Sequence, residues 1–215
     1  MLLSNVRYSL DRINNDLKSL EDRRERILKS TREVVALCSK SIIALHYNNK
    51  NESNEKIQQA RKMLDELRSY AKTDLYKYLS VAEQEFVEAC CMLSIVDKVV
   101  LPDMDDLKVT QSSYIMGLLD CIGEVKRMVY DKIRSGQADE AIELFSLMEK
   151  IYGYIYPFAI YDNMITGLRR KLDVAKMLIE NIRAIITEES RRQIVIKSID
   201  ELEKKMQKII SNEDI

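Results

Sequence analysis

The sequence predicts an all-α protein, and three observations carry that reading. The 215 residues contain five Gly, two Pro and no Trp, so the residues that punctuate turn-rich sheet proteins are scarce. Leu, Ile, Lys, Glu and Arg, which favour uninterrupted helix, are abundant. Apolar residues recur at three-four spacing along most of the chain, the period of one buried helical face. The length suits one sizeable core and does not demand a second domain.

The first helix runs from Leu3 to Leu45, because Leu3, Val6, Leu10, Ile13, Leu17, Leu20, Ile27, Val34, Cys38, Ile42 and Leu45 keep the spacing throughout. At 1.5 Å per residue it would reach roughly 65 Å, more than one compact core needs, so part of its stripe is expected to meet another subunit. YNNKNESNE at 47–55 reads as a loop. Helical pattern resumes through the stretch that ends in TDLYKYL, and Ser80 and Glu83, at capping-box spacing, mark a new start. That helix continues to about Val100, and LPDMDDLKVTQ at 101–111 follows as a loop with Pro102 as breaker. A fourth helix covers about 112–134 and stops at Gly136; a fifth covers 138–152 and stops around Gly153 and Pro157. From Phe158, Met164, Leu168, Leu172, Ala175, Leu178, Ile182 and Ile186 mark a sixth helix. A seventh, 190–211, repeats through Val195, Ile199, Leu202, Met206 and Ile209, the last a side chain outside the described residues.

Composition also excludes functions. The 34 basic and 35 acidic side chains nearly cancel, so any surface for nucleic acid must be local. The amino terminus lacks a signal-peptide core, and no stretch approaches the roughly 18 apolar residues of a membrane span, so a cytoplasmic protein without membrane contact is expected. Cys38, Cys90, Cys91 and Cys121 form no CxxC pair and read as buried thiols; His46 is the single histidine. VVLPDMDDL at 99–107 superficially matches the DxDx[TV] nucleophile of haloacid-dehalogenase-type phosphatases. Leu107 stands where Thr or Val is needed and no βαβ pattern accompanies it, so that chemistry is rejected.

The chemistry worth pursuing is acidic. In YIMGLLDCIGEVKR, 114–127, Gly117, Asp120, Gly123, Glu124 and Arg127 share one helical face, and the glycines would make room where the carboxylates point. Asp120 and Glu124, at i and i+4, repel unless a cation joins them. AEQEFVEACC places Glu85 and Glu88 on one face of the preceding helix. Antiparallel packing of the two helices would let the four acids converge. Spacing alone leaves two readings open: solvated acids with Arg127 as an ion-pair partner, or a divalent-metal site whose oxygen ligands select Mg²⁺ or Mn²⁺.

QEFVEA at 84–89 and YxxGxxDxxGExxR at 114–127 resemble the translin superfamily, on the side of translin-associated factor X (TRAX). KSTREVVALCSKSIIALH at 29–46 and YP followed by LRRKLDVAKMLIE, within 156–180, extend the likeness in order over most of the chain. The resemblance implies one domain over 1–215, an elongated antiparallel bundle of about seven helices. It also implies assembly into a hollow homo-oligomer, usually an octamer, that encloses single-stranded RNA, with single-stranded DNA as a further ligand.

In the TRAX branch an acidic cluster binds a divalent metal and cleaves RNA, which implies a Mg²⁺- or Mn²⁺-dependent endoribonuclease. Glu85, Glu88, Asp120 and Glu124 are then its metal-binding and catalytic residues. Translin itself is the non-catalytic alternative, a binder of single-stranded RNA or DNA, and a translin-like partner subunit is the alternative to acting alone. For nucleic-acid contact the expected residues are Arg32, Lys40, Arg127, Arg169 and Arg170. Arg32 closes a run, 18–32, of six basic and three acidic residues, and Arg169 and Arg170 open one, 169–176, of four and one. Where the translin branch carries a His- and Arg-rich stretch, this chain has RSYAKTDLYKYL, without His. The tyrosines of IYGYIYPFAIY could stack bases, but are expected instead to fill the core around the helix break.

Overall fold

The computed structural model describes residues 3–213, with side chains as far as Lys208. Among them are seven α-helices, two short 3-10 helices and no strand, which is the predicted fold class. The chain forms two compact units, Met1–Cys121 and Ile122–Ile215, and each is described by itself.

In the first unit α1 (Ser4–His46) and α2 (Lys50–Ala71) form an antiparallel hairpin. The polar tract predicted as a loop over 47–55 shrinks to three residues. Asn48 takes a left-handed conformation at φ 58°, and the Asn49 side chain accepts the Glu52 N–H at 3.2 Å while donating to the Glu52 carboxylate at 2.8 Å. That cap starts α2 early, since Asn is favoured at an N-cap and Asn and Ser are unfavourable only in helix interiors. Ser41 and Ser53 share a buried hydrogen bond of 2.7 Å that fixes α1 on α2. The core gathers Ile27, Val34 and Cys38 of α1 with Leu64 of α2 and Phe86 of α3 (Ser80–Asp97).

A 3-10 helix (Tyr76–Leu79) leads into α3, which starts at the predicted Ser80 but without the predicted cap. Ser80 Oγ instead donates to the Lys77 carbonyl, and Glu83 is fully buried elsewhere. A real capping box sits in the next connection. Asp103 and Asp106 exchange side-chain and backbone bonds around the four-residue α4 (Met104–Leu107). Asp103, the first aspartate of the rejected phosphatase motif, is thus at work as a helix cap. α5 (Gln111–Arg134) then runs through the boundary of the two units.

In the second unit α5 ends at Gly136, whose φ of +75° suits glycine. α6 (Ala138–Ile155) follows and buries Ala141, Phe145, Met148 and Ile151 against α7 (Leu168–Glu213). The two predicted carboxy-terminal helices are therefore one, 46 residues long. TEESRR at 187–192 holds no Gly or Pro, so nothing stops the helix. The buried stripe of Leu168, Leu172, Ala175, Ile179, Ile182, Ile186 and Glu189 gives way to one displaced by a single position, through Val195 and Ile199. That change of face is what made one helix read as two. No helix among the described residues is long and apolar enough to cross a membrane.

Candidate acidic site

Three contacts between α3 and the first half of α5 set the site. Ser113 Oγ donates to the Ser80 carbonyl at 3.4 Å, and Cys121 Sγ donates to the Glu88 carbonyl at 3.6 Å. Between them Gly117 meets Gln84. A Cβ on Gly117 would lie 2.6 Å from the Gln84 carbonyl oxygen and 2.7 Å from Val87 Cβ, so only glycine lets the two backbones touch. All three contacts share an offset of 33 residues. An offset that stays constant, with both numbers rising together, means that α3 and this part of α5 run parallel. The antiparallel pairing expected from the sequence is corrected here. The connection 98–110 carries the chain back alongside α3 before α5 begins.

The parallel register still brings the acids to one level. By the same offset Asp120 stands opposite Val87, between Glu85 and Glu88. Glu88 is buried, and Glu85 and Asp120 are half-buried. Glu124, also half-buried, follows Asp120 by one turn of the same helix. Gly123 does not repeat the role of Gly117, because a Cβ there would meet nothing within 4 Å.

The neighbouring thiols sense these carboxylates. Burial pushes the Cys38 thiol far up, and Cys90, Glu85 and Glu88 push in the same direction. The Cys121 thiol rises through a hydrogen bond with Cys91, then burial, then the charges of Cys91, Glu88 and Asp120. Cys90 is pushed up to about 12 by burial, against the pull of Arg61. All four cysteines are buried and free, as the sequence suggested. The four thiols are buried, and the partly open side chains Glu85, Asp120 and Glu124 are carboxylates, oxygen donors of the kind that suits Mg²⁺ or Mn²⁺. Among the described residues no three His, Cys, Asp or Glu side chains are already drawn together as a metal cluster.

Glu83 is the carboxylate that sequence reasoning misplaced. It is fully buried, accepting from Tyr76 Oη at 2.9 Å, from the Thr110 N–H at 3.2 Å and from Thr110 Oγ1 at 3.1 Å. Arg68 Nε lies 3.6 Å away, while the rest of that guanidinium holds Asp65 and the Leu107 carbonyl. Burial first, and Glu83 second, raises the Tyr76 hydroxyl pKa. The signal was available: Glu83 lies four residues after Leu79 and three before Phe86, on the stripe that α3 buries.

The predicted nucleic-acid residues are all exposed. Arg32 and Lys40 lie on α1, Arg127 on α5, and Arg169 and Arg170 at the start of α7, where the Arg169 N–H donates to Asp162 at 2.8 Å. Much of the basic run 18–32 is engaged within the fold. Arg23 forms a two-pronged pair with Asp74 at 3.0 Å, Arg24 pairs with Glu21 beside the Tyr78 ring, and Arg26 covers Tyr70. Lys40 lies in a surface groove of about 550 Å³ whose other charges include Glu33, Lys62 and Glu66. The tyrosines expected in the core are elsewhere. None of Tyr156–Tyr161 is buried, and Tyr154, Tyr156, Phe158 and Tyr161 are exposed.

Fold and site define an all-helical protein with carboxylates ranged along a tight crossing of two parallel helices. Comparison with known proteins gives that class its family. The Translin family matches residues 93–187. An uncharacterized protein of Methanocaldococcus jannaschii, MJ0175, is 31% identical over 178 residues, 80% of each chain. Two solved structures are similar at 28% identity and cover 86% of this chain. AfC3PO in complex with duplex RNA superposes with a TM-score of 0.79 over 98% of its own chain, and AfC3PO alone with 0.78 over 99%. The chain belongs to the Translin family.

Proposed function

We propose that this protein is a TRAX-like subunit of a cytoplasmic homo-oligomer, an octamer on the family pattern, that cleaves single-stranded RNA with Mg²⁺ or Mn²⁺. The observation that carries the reading is the α3–α5 register, which sets Asp120 level with the turn between Glu85 and Glu88. Support for RNA as the polymer comes from the similar AfC3PO, solved with duplex RNA.

Glu85, Glu88, Asp120 and Glu124 would hold the ion. When bound, a divalent cation supplies charge stabilisation at the phosphate and a more acidic water. The chain does the rest. A glutamate not engaged with the ion accepts the proton of the attacking water on a carboxylate oxygen as the P–O bond to the leaving group breaks. Arg127, exposed one turn beyond Glu124, would meet a phosphate, and the exposed Arg32, Lys40, Arg169 and Arg170 would contact the strand.

The test is cleavage of a labelled single-stranded RNA by purified protein, with a duplex of the same sequence beside it. Cleavage that needs Mg²⁺, stops in EDTA and is lost in Glu124→Ala supports the proposal. Cleavage that survives in Glu124→Ala assigns the activity to a contaminant. RNA binding without cleavage by the wild type assigns the chain to the translin-like binders.

A further inference from the structure

Two long helices carry apolar seams that the chain leaves uncovered. In α1 one heptad repeat runs unbroken, with Leu3, Leu10, Leu17, Arg24, Thr31, Cys38 and Leu45 at its first position and Val6, Ile13, Leu20, Ile27, Val34 and Ser41 at its fourth. From Ile27 onward its members are buried, mainly on α2 and α3. From Leu3 to Leu17 the same stripe is open. In α7 a second strict seam, Val195, Ile199, Leu202 and Met206, begins where the buried stripe ends. The apolar residues of both seams are 49 to 67 % exposed. Strict heptad spacing is the pattern of a two-helix coiled-coil contact, not of a broad core-facing surface.

We infer that the open half of α1 packs antiparallel on the open half of α7 from a second copy of this chain. The inference deepens the proposed assembly and rests on it. The seams match in length: Val6 meets Met206, Leu10 meets Leu202, Ile13 meets Ile199 and Leu17 meets Val195. These are four consecutive layers that pair first with fourth heptad positions throughout. At this register the flanking positions bring Arg7 opposite Glu203, and no like charges face each other. Antiparallel pairing of α1 with α1 sets Arg7 against Asn14 and Ser9 against Asp16. Pairing α7 with α7 sets Ile196 against Glu203 and Ser198 against Lys205. Neither gains an opposite-charge pair, so charge favours the mixed seam. The α1 seam is continuous with the stripe that α2 and α3 already cover, so the second copy completes an existing packing surface.

The experiment joins sizing by light scattering to cross-linking. Ile13→Cys and Ile199→Cys chains, oxidised after mixing, should give a cross-linked pair that neither variant gives alone. Arg7→Glu and Glu203→Arg should each shift association by about tenfold toward smaller species, and the double variant should restore it. Self-cross-linking of Ile13→Cys, or a cross-link only within a chain carrying both cysteines, overturns the seam. So does a wild-type oligomer that none of these changes affects. A wild type that stays monomeric at every concentration refutes the assembly reading itself.

Discussion

Gly117 and Gly123 stand six residues apart on one helix, each three residues from Asp120, and they do opposite things. At Gly117 the helix is closed: the α3 backbone lies where a side chain would go. At Gly123 it is open, with nothing inside 4 Å of an added Cβ. The sequence signal is the same in both places, a mid-helix glycine beside an acid. The physical roles differ because one glycine sets how near a neighbouring helix can come, and the other has open space where its side chain would be. Close approach fixes geometry, and openness admits a ligand.

The closed end can be broken most severely through Glu83, which ties the starts of α3 and α5 together by way of Thr110. Glu83→Ala would leave the Nε of half-buried Arg68 beside an empty position, with the Tyr76 hydroxyl and the Thr110 donors unanswered. Leaving buried donors of a charged acceptor unsatisfied costs about 1–3 kcal/mol each, and chemical denaturation should show a loss of several kcal/mol in total. Gly117→Ala comes next. Overpacking of this kind costs about 1–3 kcal/mol, less the small gain in helix propensity. The loss should appear as a lowered midpoint in urea with an unchanged slope.

The helices, their order and the acidic residues were legible in the sequence, because three-four periodicity and rare Gly and Pro speak directly to local structure. What was hidden was direction. Periodicity tells which face of α3 or α5 is buried and is silent on whether the partner runs up or down, and here the 98–110 connection decides for parallel. The single α7 was hidden for a related reason: a stripe that changes face looks like a helix that ends. The exposed tyrosines of 154–161 were misread because aromatic residues at a helix break usually fill the core. Glu83 was misassigned because capping-box spacing and a buried core position coincide at one residue.

Alkaline pH probes the closed region next, through its thiols. Cys38, Cys90 and Cys121 hold their protons in the folded chain well above the usual value of 9.0, and the unfolded chain releases them near that value. The unfolded state therefore binds fewer protons above pH 9, and stability falls as pH rises. The contribution is whole below pH 9. Between 9 and about 12, the value for Cys90, each such thiol takes away up to about 1.4 kcal/mol per pH unit. Melting temperatures between pH 8 and 10.5 should decline accordingly, and thiol reagents should react only as the protein unfolds. Gly123→Ala, at the open end, has the opposite sign to Gly117→Ala. With no neighbour to strike, it should stabilise by roughly 0.5–1 kcal/mol through helix propensity alone.

Glu124→Gln should move stability least and decide most. The change keeps the side chain's shape and relieves a like-charge repulsion at i and i+4 worth a few tenths of a kcal/mol, against the loss of charge in the carboxylate's own contacts, so the melting curve should stay within about 1 kcal/mol of the wild type. If Glu124 serves a divalent ion on the open turn, the same substitution removes Mg²⁺-dependent RNA cleavage and weakens Mn²⁺ binding measured by calorimetry, while the fold stands unchanged. A large loss of stability would place Glu124 with Glu83, among the carboxylates that hold the helices together, and would leave the open turn without a ligand to explain it.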